Sequence, residues 1–191
     1  DPQAQLNYND YSLENEAKRK GALKLVEAFK AKGVPINGVG LQDHVQMDWP
    51  TLNEIDTTIS EFGKLGMKVT ITELDVDVLP QATSSQTAEV GLNVAADAKL
   101  NPYANGLPDS VQQALAKRYG DLFATYATHC SVVTRVTLWG VTDKNSWKND
   151  WPVKGRTNYP LLFDRSGPPK PAFNAVIEAA PKKVSSISGL F

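Results

Sequence analysis

Cysteine is nearly missing from this 191-residue chain. Cys130 stands alone, so no disulfide framework within the chain exists. A lone cysteine of this kind reads as a small core residue. Histidine is almost as scarce: His44 and His129 are the two present, too few for a multi-histidine metal centre. Charge of either sign is not in excess, since 20 basic and 21 acidic residues leave a formal net charge of −1. So balanced a chain offers no electrostatic footprint for nucleic acid. No apolar run approaches the roughly 20 residues of a membrane-spanning helix. The opening Asp1-Pro2-Gln3 lacks an initiator methionine and the pattern of a secretory leader, and reads as a cut start.

What is present is a strand followed by a helix, four times over. A short strand over Gln5 to Tyr8 ends in Asn9-Asp10. A helix follows over Glu16 to Lys32, with Ala22, Leu25, Val26 and Phe29 forming one apolar stripe. Gly33 and Pro35 stop it. Its charged start, Glu14, Glu16, Lys18, Arg19 and Lys20, reads as a solvated face. A second strand over Gly38 to Gln42 ends in Asp43-His44. Thr51-Leu52-Asn53-Glu54 has the spacing of a capping box and opens a helix that ends at Gly66. The third strand is Lys68 to Thr72. A long polar and alanine-rich stretch, Asp77 to Asp109, shows no clear strand. Ser110 and Gln113 suggest another capping box, for a helix to about Thr128. His129 at its end suits the helix macrodipole and reads as structural. The fourth strand is Val132 to Leu138. A loop with Trp147, Trp151 and Tyr159 leads to a last helix over Pro171 to Ala180, and 181–191 reads as a tail or linker.

Repeated βα units predict an α/β fold with a parallel sheet and right-handed crossovers. Asn9, Gln42, His44, Glu73, Asp75 and Trp139 then all fall just after strands. That is the layout of a (β/α)₈ barrel, whose site lies on the C-terminal face. A full barrel takes about 250 residues, so four units make half of one. Glu73 and Asp75 lie two residues apart at a strand end and share a face if the strand continues that far. By residue type alone they remain open between a site and a structural ion pair. His44 alone remains open between a site residue and a satisfied loop histidine.

The order of motifs narrows this. Tyr8-Asn9-Asp10-Tyr11, Gly38-Val39-Gly40-Leu41-Gln42-Asp43-His44, Ile71-Thr72-Glu73-Leu74-Asp75, Leu138-Trp139-Gly140-Val141-Thr142-Asp143, Ser146-Trp147 and Pro160-Leu161-Leu162-Phe163-Asp164 occur in sequence. Together they resemble the family-10 glycoside hydrolases, retaining endo-β-1,4-xylanases, across residues 5–178. The resemblance implies the second half of that family's barrel, strands five to eight, over residues 1–180. It implies that Glu73 is the nucleophile, that His44 contacts it and that Asp75 holds the imidazole. It implies that Gln42 lines the centre, that Trp139 and Trp147 wall the −1 sugar, and that Tyr8 and Asn9 belong to the leaving-group side. Asp143 and Lys144 are read as shaping the aromatic loop. Asp43 departs from the family, which usually carries serine there. The family's acid/base glutamate motif, and the segment gripping the −2 sugar, find no match.

The chemistry fits those residue types. A retaining glycosidase uses two carboxyl groups about 5–5.5 Å apart. An imidazole N–H donated to the attacking carboxylate favours its charged form, and a second carboxylate fixes the tautomer. The expected partner is xylan or a xylo-oligosaccharide, with no cofactor and no metal. A protein acting on such a polymer is expected to be secreted or periplasmic. The isolated half is expected to be inactive, to carry an apolar inner face, and to self-associate or pair with the missing N-terminal half. A truncated, non-hydrolytic sugar-binding relic is the alternative. A His44–Glu73–Asp75 metal triad ranks last.

Overall fold

The computed structural model describes residues 1, 3–82 and 95–180. The tail at 181–191 lies outside them. Among the described residues, five strands and four α-helices follow one another: β1 (Leu6–Tyr11), α1 (Glu16–Ala31), β2 (Ile36–Gln42), β3 (His44–Gln46), α2 (Leu52–Lys64), β4 (Lys68–Asp77), α3 (Asp109–Thr128), β5 (Val133–Leu138) and α4 (Pro171–Ala179). β1 pairs with β2, β2 with β4, and β4 with β5, all parallel. The short β3 continues past Asp43 and lies beside the C-terminal part of β4, with His44 opposite Asp75.

Local chemistry sets the helix ends. The Asn15 side chain accepts from the backbone N–H groups of Ala17 and Lys18 and starts α1. Thr51 and Glu54 form the anticipated capping box on α2. Gly33 and Gly66, at φ 71° and 77°, turn the chain out of α1 and α2. The capping box expected at Ser110 is absent. α3 begins one residue earlier, behind Pro108, with no side-chain cap. Proline's fixed φ already suits a helix entry, so Ser110 falls inside the first turn.

The core lies between the sheet and the helices. Val39, Leu41, Val69 and Ile71 point outward from β2 and β4 and are fully buried with Val26, Ile55, Ile59, Phe62, Leu115 and Leu122. The opposite face of the sheet was expected to be apolar. Instead it carries Asn7 and Asn9 on β1, Gly38 and Gly40 on β2, and Thr70 and Thr72 on β4. Arg135 pairs with Thr70 in register. A Cβ at Gly38 or Gly40 would overlap Asn7 Oδ1 or Asn9 Oδ1, so these glycines make room for asparagine side chains.

Three further readings are corrected. Glu14 and Arg19 are buried rather than solvated. Arg19 faces the α1–α2 seam, where Nε meets Glu61 at 2.6 Å and Nη1 donates to the Glu14 carbonyl. Cys130 is exposed, because it sits in the turn after α3 and not on an apolar face. β1 and β4 outrun their expected ends, so Asn9, Glu73 and Asp75 lie within strands.

Candidate active site

β-branched Val69, Thr70, Ile71 and Thr72 favour an extended strand. Unbroken alternation would then turn Glu73 to the helix side with Ile71. The β4–β5 ladder slips at this point. Ile71 pairs with Val136 and Leu74 with Leu138, so β4 has one extra residue. Such a bulge reverses the alternation and re-aims side chains. Thr72 still reaches across the inner face to donate to Asn9 Oδ1 at 2.9 Å. Glu73, the next residue, meets His44.

The His44 ring is held between two carboxylates. Nε2 lies 3.1 Å from Glu73 Oε2, within hydrogen-bond range. Nδ1 lies 3.1 Å from Asp75 Oδ2. That second contact is close enough for electrostatic attraction but is not aligned as a hydrogen bond. Asp75 Oδ2 instead accepts the indole N–H of Trp147 at 2.8 Å. The Trp147 N–H is therefore committed to the protein and not to a sugar hydroxyl. Trp147 packs edge-on against His44, with ring centres 5.0 Å apart, and stacks on Trp151 at 4.8 Å. Trp139, 45% exposed, approaches His44 edge-on at 6.3 Å.

Asp75 is fully buried, and burial alone pushes a carboxyl's pKa up. Here the Lys148 ammonium, the His44 ring and the Trp147 N–H outweigh burial and hold it below the usual carboxylate range. Lys148 Nζ sits 3.7 Å from Asp75 Oδ1 and 3.7 Å from Asp77 Oδ2. Asp77 also accepts from the Asn158 amide at 2.8 Å. Sequence reasoning missed Lys148 and Asp77. The signal was available: Asp77 continues the Glu73, Asp75 alternation, and Lys148 follows Trp147 directly.

The remaining predicted positions divide. Gln42 ends β2, one residue before the Asp43–His44 step. Asn9 is tied to Thr72 on the inner face. Tyr8 is not brought to this cluster; its ring packs against the core and its hydroxyl donates to Asp10 at 2.6 Å. Burial and that bond to Asp10 push the Tyr8 pKa up to about 12. Asp143 does shape the aromatic loop, from a buried position. It takes the Lys170 ammonium at 2.9 Å and the Leu161 N–H at 2.8 Å. His129 bonds Asp56 at 2.7 Å at the end of α3, away from the cluster.

A metal triad does not fit this geometry. The two nitrogens of His44 each face a different carboxylate, so the three side chains form a row and do not converge on one point. Among the described residues no group of three or more potential ligands is placed to hold a metal.

A consecutive run of parallel strands, acids at their C-terminal ends and tryptophans around them define part of a (β/α)₈ glycoside hydrolase. Residues 1–179 match the family model for glycosyl hydrolase family 10, and the chain belongs to that family. Endo-1,4-beta-xylanase A of Xylanibacter ruminicola is 43% identical over 178 residues, covering 93% of this chain and 48% of the relative. The beta-1,4-xylanase of Dictyoglomus thermophilum is 37% identical, over 46% of its own length. A solved family-10 endoxylanase from a sugarcane soil metagenome superposes with a TM-score of 0.90 at 46% identity, covering 93% of this chain and 52% of that one. The chain thus spans about half the length of these three relatives.

Proposed function

We propose that this chain supplies the nucleophile side of a retaining endo-1,4-β-xylanase. The observation that carries the reading is His44 lying 3.1 Å from both Glu73 and Asp75. In this mechanism Glu73 attacks the anomeric carbon and forms a glycosyl ester as the leaving oxygen takes a proton from a second carboxyl group. Water, activated by that same second group, then releases the sugar and regenerates Glu73. His44 donates to one Glu73 oxygen and fixes the orientation of the attacking carboxylate. Asp75 and Trp147 hold His44 in place. Trp139 offers an exposed flat face for the C–H surface of a xylose ring.

Asp75 cannot be the second carboxyl group, because it is fully buried behind His44 and occupied by Trp147 and Lys148. We assign the acid/base role to the other half of the barrel. Residues 1–180 then form the C-terminal half of the catalytic domain. β1 and β5 are the edges that pair with it. A polymer such as xylan cannot enter a cell intact, which supports a working enzyme outside the cytoplasm.

The test compares the 191-residue chain alone with the same chain joined to, or mixed with, the N-terminal half. Xylan hydrolysis is expected only from the completed barrel. General acid assistance alone is worth about 10²–10⁴-fold. Glu73→Gln in the completed barrel is expected to lower kcat on the order of 10⁶-fold, the scale of deleting a nucleophile. Undiminished turnover in that variant would contradict the assignment, and binding without cleavage by the wild-type barrel would favour a sugar-binding relic.

A further inference from the structure

A second pair of acids lies directly behind the site. Glu14, in the turn after β1, and Asp43, between β2 and β3, are almost wholly buried, with 3% and 1% of their surfaces exposed. Their carboxyl groups stand within hydrogen-bonding range of each other. Asp43 Oδ2 accepts the Tyr126 hydroxyl at 2.7 Å. Asp43 Oδ1 is buried and finds no ordinary donor. Arg118 does not serve it, since its Nε and Nη2 donate to the carbonyls of Gln46 and Pro50. Two carboxylates facing each other are both acceptors, so a contact between them needs a proton.

We propose that Glu14 and Asp43 share one proton across a buried carboxylic acid–carboxylate contact, and that this contact positions His44. The Glu14 O–H supplies the donor that Asp43 Oδ1 otherwise lacks. The contact joins the turn after β1 to the β2–β3 step and, through Tyr126, to α3. Asp43 precedes His44 in the chain, and its carbonyl accepts the Asp75 N–H at 3.2 Å. The backbone that carries His44 is therefore anchored from both the side chain and the main chain of Asp43.

The surroundings favour one proton on the pair. Burial, then the Asp43 charge and the bond to Asp43, push the Glu14 carboxyl well above its usual range. Burial also raises Asp43, opposed by the bonds from Glu14 and Tyr126 and by the charges of His44 and Arg118. Lys18 and Arg19 face Glu14 from α1; Lys18 lowers its pKa slightly, and Arg19 bonds its carbonyl. None of these places a full countercharge on Glu14. A group whose folded pKa is raised is worth most below its unfolded value. Its contribution is lost as pH rises toward the folded value. The shared proton thus makes this region alkali-sensitive.

Infrared spectroscopy of the 191-residue chain at neutral pH tests the proton directly. A protonated-carboxyl C=O band is expected in the wild type and absent in Glu14→Gln, whose amide N–H replaces the O–H. A wild-type-minus-variant difference spectrum without that band would overturn the proposal. The positioning role rests on the proposed xylanase activity and is read in the completed barrel. Glu14→Ala is expected to lower kcat about tenfold with KM unchanged, and Glu14→Gln to restore it and to extend the alkaline limb of the pH profile. Equal kcat in all three, or no change in the alkaline limb, would overturn that role. The infrared result stands whether or not the barrel cleaves xylan, so the two failures are distinguishable.

Discussion

Two regions of the sheet differ sharply. At the C-terminal end of β4, Glu73, His44, Asp75, Trp147 and Lys148 form a closed set of contacts made within this chain. On the inner face and along β1 and β5, side chains stand open: Asn7, Asn9 and Arg135 are exposed, and Leu6 is 50% exposed at the edge. The difference teaches that the contacts supporting the proposed nucleophile are complete within this chain, whereas on the proposed reading turnover and solubility draw on the other half of the barrel. A strand edge with unpaired N–H and C=O groups invites association, and a polar inner face does not by itself drive collapse.

Breaking the closed region is expected to have the larger effects. Lys148→Met leaves the fully buried Asp75 without its ammonium partner, while Asp77 keeps Arg156 at 4.0 Å, and loss of one partner of a buried pair costs about 3–5 kcal/mol. Denaturant unfolding of the completed barrel checks this. The pH dependence has a defined sign. The depressed pKa of Asp75 contributes stability above the usual carboxylate range, and that contribution is lost as pH falls through the depressed value. The gap between wild type and Lys148→Met should therefore be widest near neutrality and narrow in acid. A gap independent of pH would mean that Lys148 acts through packing alone.

Trp147→Phe keeps the ring but removes the N–H that Asp75 accepts. A hydrogen bond to a buried charge is worth about 1.5–3 kcal/mol, so kcat is expected to fall about tenfold to a hundredfold. A change in KM alone would show that Trp147 serves as a sugar wall and does not support Asp75. The open region gives the smallest energetic response. Leu6→Lys is expected to change stability within about 0.5 kcal/mol, yet to reduce self-association of the isolated chain in light scattering, since a lysine blunts a strand edge. Unchanged association would place the contact elsewhere.

The closed region was also the more legible in sequence. The repeated strand–helix pattern and the Thr51–Glu54 spacing, which located the start of α2, were legible because those signals are local. The bulge that aims Glu73 was not legible, since it depends on the pairing of β4 with β5. The same holds for Glu14 and Arg19: a charged run at a helix start looks solvated until Asp43 and Glu61 arrive from distant segments. The polar inner face was hidden by a general expectation about barrel interiors. Gly38 and Gly40, alternating in a strand, were the overlooked clue. Trp147 was singled out by position, but which way its N–H points is a tertiary fact.

The central claim is that Glu73 forms the covalent bond. Incubating the completed barrel with a 2-fluoro-xylobioside inactivator, followed by peptide mass mapping, tests it most directly. The account predicts a single glycosyl adduct on Glu73. An adduct on any other carboxylate would contradict it.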